Sequence, residues 1–97
     1  MALTSKQRAK LKALANPIDT ILQIGKGGVT EAVVRQTEQA LAARELIKLR
    51  VLETAMLTPR EACGQLCEEL GAEPVQVIGT RFVIYRENPE DHKIQLD

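Results

Sequence analysis

A chain of 97 residues has room for one hydrophobic core and no second domain. Its 44% hydrophobic and 27% charged residues exclude a disordered or collagen-like chain. With no run near the roughly 18 apolar residues of a membrane span and no apolar signal stretch, a cytoplasmic protein is expected. The net charge is zero, yet residues 1–50 carry nine Lys/Arg against four Asp/Glu while residues 51–97 carry four against nine, so a neutral total can conceal a basic side that attracts polyanions.

Thr4-Ser5-Lys6-Gln7 has the form of a capping box and predicts the start of a first helix, with Leu11, Leu14 and Ala15 as its apolar stripe and Asn16-Pro17 as its stop. Lys6, Arg8, Lys10 and Lys12 make this helix basic. Thr20 to Ile24 is short, β-branched and apolar, as expected of a buried strand, and Gly25-Lys26-Gly27-Gly28 ends it. Thr30 can cap a second helix, with Glu31 in the first turn and Val33, Val34, Thr37, Ala40 and Leu41 on its buried face. Glu45 to Leu52 alternates as a strand, with Ile47, Leu49 and Val51 on one face and Lys48 and Arg50 on the other. Thr58-Pro59-Arg60-Glu61 combines a capping box with proline at the first helical position, and predicts a third helix that buries Ala62, Cys63, Leu66, Cys67 and Leu70 and ends at Gly71. Val75–Ile78 and Arg81–Arg86 are expected to form an antiparallel hairpin about Gly79-Thr80. The remainder, 87–97, reads as a polar surface tail with a loosely held end. The order αβαβαββ defines an α/β (α+β) fold class, a four-stranded mixed sheet packed by helices in a single domain spanning 1–97.

Catalysis has little support in this pattern. His92 is the only histidine and has no nucleophile in a local arrangement with it. Cys63 and Cys67 lie four apart on a helix, and the chain offers too few nitrogen and sulfur ligands for a zinc site, so core packing is the expected role. No catalytic residue, metal, cofactor or small-molecule substrate is expected. The glycine loop lacks the spacing of a Walker loop and the small residue a dinucleotide fingerprint needs at Thr30. It does fit the short G-x-x-G loop, Gly25 to Gly28, that clamps single-stranded nucleic-acid backbone in the KH domain, and Lys26 within it adds a cation. With Phe82 and Tyr85 as the only aromatics, base stacking platforms are scarce, so recognition is expected to rest on the backbone. Lys48 and Arg50 extend the candidate basic surface.

Leu3-Thr4 with its basic helix, Ile24-Gly25-Lys26-Gly27-Gly28-Val29-Thr30, Glu45-Leu46-Ile47-Lys48, and Val75-Gln76-Val77-Ile78-Gly79 followed by Val83-Ile84-Tyr85-Arg86 together resemble the CRM domain (chloroplast RNA splicing and ribosome maturation), in particular its stand-alone bacterial YhbY-like members. The resemblance covers most of the chain. It implies an RNA-binding domain similar in fold to the C-terminal domain of bacterial initiation factor three and associated with large-subunit precursors during ribosome assembly. It also implies that RNA meets Gly25, Lys26, Gly27 and Gly28 and the basic first helix. The tail departs from this pattern, with four acids and one lysine between Glu87 and Asp97.

The expectation is therefore a non-enzymatic protein that binds rRNA of a large-subunit precursor through Gly25, Lys26, Gly27 and Gly28, through Lys6, Arg8, Lys10 and Lys12, and secondarily through Lys48 and Arg50. The competing expectation is a module whose acidic C-terminal half docks on a basic ribosomal protein, the glycine loop serving only as a turn.

Overall fold

Three threonines start the three helices. The Thr4 hydroxyl accepts from the Gln7 backbone N–H at 3.1 Å while the Thr4 N–H donates to the Gln7 side chain at 3.0 Å, so helix α1 runs Ser5–Ala15. Thr30 accepts from the Val33 N–H at 3.2 Å and opens α2, Glu31–Arg44. Thr58 and Glu61 repeat the reciprocal box at 3.1 and 2.9 Å and open α3, Pro59–Leu70, which Gly71 closes at φ 66°. The strands are β1 (Thr20–Ile24), β2 (Leu46–Val51), β3 (Glu73–Ile78) and β4 (Arg81–Tyr85). The computed structural model describes residues 3–96. Among them, no helix is long and apolar enough to cross a membrane.

The sheet order is β1-β2-β4-β3, with β1 parallel to β2 and the other pairs antiparallel. Alternation along β2 feeds two cores. Ile47, Leu49 and Val51 join Leu41 of α2 and Ala62, Cys63, Leu66 and Cys67 of α3 on one face. Leu46 turns to the other face and joins Leu11 and Ala15 of α1, with Val75, Val83 and Tyr85. The mixed sheet thus has two helices on one side and one on the other. Strand β3 is an edge, where Pro74 and an irregular register between Pro74 and Gln76 discourage pairing with another chain.

The structure departs from the sequence expectations in several places. A short 3-10 turn, Glu53–Ala55, follows β2, outside the predicted elements. Strand β3 starts at Glu73, ahead of Val75, and β4 stops at Tyr85, short of Arg86. Most consequential, Glu45 is no strand residue. It caps the C-terminus of α2 at φ 65°, a left-handed conformation uncommon outside glycine, and is fully buried.

That buried carboxylate organises the segment after β4. Its Oε2 accepts from the Asn88 N–H at 2.6 Å, and its Oε1 accepts from the Lys93 and Ile94 N–H groups at 2.6 and 2.7 Å. Asn88 also donates from its side chain to the Ala42 carbonyl at 2.9 Å. Ile94 and Leu96 then pack on the α1-side core. Over 87–96 the polar tail is consequently tied down instead of loosely held; Asp97 lies outside the described residues. Burial pushes the Glu45 carboxyl upward, but the backbone donors of Asn88, Ile94 and Lys93, helped by the nearby His92, outweigh it and hold the carboxyl below its ordinary range.

Glu45→Ala removes the acceptor and leaves three backbone donors without it, so it is expected to cost about 2–4 kcal/mol in urea unfolding. Because the native carboxyl is depressed, its stabilisation is complete above the unfolded glutamate value of about 4.3 and is lost as pH falls through the lower native value. Acid titration of the wild type, but not of Glu45→Ala, should show that step. Cys63 and Cys67 are both buried and free. The double serine variant is expected to lose roughly 1–3 kcal/mol, since it sets two hydroxyls on an apolar stripe.

Candidate nucleic-acid interface

Strand β1 ends beside β2, where the Leu52 N–H donates to the Ile24 carbonyl at 2.9 Å, and the chain then turns through the glycine loop. The turn closes with the Gly28 N–H on the Gly25 carbonyl and the Thr30 N–H on the Gly28 carbonyl, each at 3.0 Å. Gly27 (φ 97°) and Gly28 (φ 68°) are the two positions that require glycine. Gly25 does not: a Cβ there would meet only the Leu52 and Thr54 side chains, at 3.5 and 3.7 Å. Lys26 stands exposed at the tip.

The first helix does not present its cations as one patch. Its buried residues, Leu11 and Ala15, set the face turned to the sheet. At 100° per residue, Arg8 and Lys12 fall on one flank of that face, while Lys10 falls on the opposite flank and Lys6 points outward. Arg8 donates from Nε to the Pro74 carbonyl at 3.4 Å, and Arg8 and Lys12 share a groove along β3 with Arg60 of α3. Lys10 instead donates to the Gln95 carbonyl of the C-terminal segment. The structure therefore brings Arg8 and Lys12 to the sheet, leaves Lys10 on the other flank and turns Lys6 outward.

Lys48 and Arg50 lie on the α1 side of β2, as the alternation from Leu46 requires. Register places Thr20 beside Lys48, and Gln23 and Arg81 on either side of Arg50. Helix α1 covers the part of this face occupied by Leu46, Val75 and Tyr85. Beyond it the face is open, and Arg50 and Arg81 sit at the same end of the sheet from which the glycine loop leaves: the neighbouring Val51 N–H donates to the Thr80 carbonyl at 2.7 Å. Arg60 and Arg81 were not among the residues singled out from sequence. Both belong to the acidic half of the chain, and the alternation of Arg81 with Phe82 shows only that they point oppositely, not which face α1 leaves uncovered.

The arrangement offers cations on three elements around one end of the sheet, together with a loop whose glycines let an anion approach the backbone. Such a surface can neutralise phosphates. Gly27→Ala and Gly28→Ala are each expected to cost about 1–2 kcal/mol in thermal or urea unfolding because an L side chain must adopt a left-handed conformation, whereas Gly25→Ala should stay within a few tenths of a kcal/mol.

Residues 3–86 match the family described as the CRS1 / YhbY (CRM) domain. Among curated proteins, the chain is 37% identical over 94 residues to the Bacillus subtilis protein named "Probable RNA-binding protein YqeI", covering 97% of this chain and 98% of that one. It is likewise 37% identical over 94 residues to a Haemophilus influenzae protein named "RNA-binding protein", covering 97% and 94% of the two chains. The solution structure of SAV1595 from Staphylococcus aureus is similar at a TM-score of 0.79 and 42% identity, covering 99% of this chain and 100% of that one.

Proposed function

Because the chain belongs to the CRS1 / YhbY (CRM) domain family, we propose that it is a cytoplasmic, non-enzymatic RNA-binding protein that holds rRNA of large-subunit precursors during ribosome assembly. The RNA partner is supported by the names that its relatives carry. The ribosomal setting rests on the family resemblance drawn from its sequence motifs. One observation carries the reading on the molecule itself: the left-handed glycines 27 and 28 with exposed Lys26 sit at the end of the sheet where Arg50 and Arg81 also gather. Lys12 and Arg8 continue this basic surface along β3.

Contacts of this kind read phosphate and sugar, not base edges, so selectivity comes mainly from the shape of the RNA. A precursor particle exposes RNA shapes that a finished subunit buries. The role needs no cofactor and no small-molecule substrate. The second reading, a basic protein docking on the acidic half, has one feature in its favour: Glu68 and Glu69 of that half line a groove between α2 and α3, joined there by Glu31.

Lys26→Glu changes an exposed side chain at a position free of left-handed strain, so melting should be unaffected while RNA affinity falls. The slope of log affinity against log salt should flatten by about 0.7 for the one phosphate no longer neutralised. In a density gradient of cell lysate the wild type should travel with large-subunit precursors and be scarce on translating ribosomes, and the variant should leave the precursor fractions. A folded Lys26→Glu protein that binds RNA and sediments as the wild type does would falsify the loop assignment.

A further inference from the structure

The open half of the sheet is built against its own charges. Arg50 and Arg81 are direct partners on β2 and β4, a placement that sets their Cβ atoms about 4.5–5.5 Å apart and is destabilising for like charges. Lys48 adds a third cation on the same face, two residues along β2. None of the three makes an ion pair among the described residues. Arg81 lies across β2, its Nε donating to the Thr20 hydroxyl on β1 at 3.2 Å. The Arg50 Nε is shielded from solvent with no hydrogen-bond partner among the described residues. A repulsive pair with an unused donor is a local conflict that folding alone does not reward, and such conflicts concentrate where a ligand resolves them. Here the ligand must be an anion.

Beside these cations, at the end of α1, a niche of about 160 Å³ is lined by Asn16, Gln76, Ile78 and Val83 together with Lys48 and Arg81. It is smaller than the roughly 300–1,000 Å³ of small-molecule sites. It is also about five times the roughly 30 Å³ that a water molecule occupies in the liquid, which suits one planar ring. The lining matches a base. Ile78, 59% exposed, offers apolar contact to its face, while the Asn16 and Gln76 amides each offer donors and an acceptor to its edge.

The geometry points to a binding site for one unpaired nucleotide of single-stranded RNA, its phosphate on Arg50 and Arg81 and its base in the Asn16–Gln76 niche. The site deepens the RNA reading given above and rests on it. It adds a means of sequence preference that the glycine loop lacks.

Fluorescence anisotropy with ten-nucleotide homopolymers of A, C, G and U tests it on the full chain. The wild type should separate its best from its worst homopolymer by about fivefold or more, the scale of one good base-edge contact. Asn16→Ala with Gln76→Ala should shrink that spread without changing the salt slope. Arg50→Gln with Arg81→Gln should weaken all four and lower the slope by about 0.7, for the one phosphate the two arginines share. Its unfolding midpoint should hold or rise, because a like-charge pair is gone. Should the double variant not fold, Arg81→Gln alone should weaken all four and lower the slope in the same direction. Equal affinity of the wild type for all four homopolymers overturns the base niche. An unchanged slope in the folded arginine variants, with Lys26→Glu still weakening binding, overturns the sheet site while the loop reading stands. Weaker binding by the arginine variants with Lys26→Glu indifferent keeps the sheet site and removes the loop.

Discussion

Pro17, which has no N–H to carry the helical ladder on, stops the first helix after eleven residues, and the cationic face of the molecule depends on that stop. At about 1.5 Å per residue the helix is roughly 16 Å long, and it lies along β3 from Pro74 toward Ile78. It seals Leu46, Val75 and Tyr85, then ends at Asn16 beside Lys48, Gln76 and Arg81. A longer helix would cover the cations of β2 and β4 and exclude any polyanion from them. The opposite face has no such gap, because α2 and α3 together bury Ile47, Leu49, Phe82 and Ile84. One face of the sheet is thus covered by two helices, while half of the other has no helix over it.

The corner at Glu45 makes this layout possible. The chain leaves α2 and enters the central strand within one residue, which forces the left-handed turn at φ 65°. The Glu45 N–H closes on the Leu41 carbonyl at 2.8 Å, and its own carbonyl accepts from Arg86 at 2.9 Å, so the residue is bonded through its backbone in both directions. Its carboxylate then gathers the segment after β4 and lays Ile94 and Leu96 over the α1-side core. A buried charge is costly unless it is fully hydrogen-bonded, and three short backbone bonds meet that requirement. Arg86 braces the same corner through Glu38 at 2.9 Å and the Leu70 carbonyl at 3.2 Å.

Charge is sorted by face and not by chain half. Arg60 and Arg81 come from the acidic half, yet they join Arg8, Lys12, Lys48 and Arg50 around the α1 side and the β3 edge. Lys10, from the basic half, turns toward the C-terminal segment. In that segment Asp91 pairs with Lys93 at 2.8 Å, so part of its acidic character is neutralised internally.

What the sequence by itself determined was local. Three threonine caps, the Asn16-Pro17 stop, the left-handed glycines and the alternation along β2 are each written within a few residues, and the helices, the strands, the loop and the opposite facing of Lys48 and Leu49 follow from them. The family motif is local in the same sense, since its glycine loop and flanking strands are contiguous. Only the tertiary structure decided what depends on distant partners. Glu45 looked like the first residue of a strand because its three donors lie more than forty residues away. The tail looked free because nothing within it shows the carboxylate that ties it. Arg81 looked like a strand flank because its partner Arg50 and the uncovered part of the sheet emerge only once α1 is docked. Periodicity tells that two neighbouring residues face opposite ways, and packing alone decides which of those ways meets solvent.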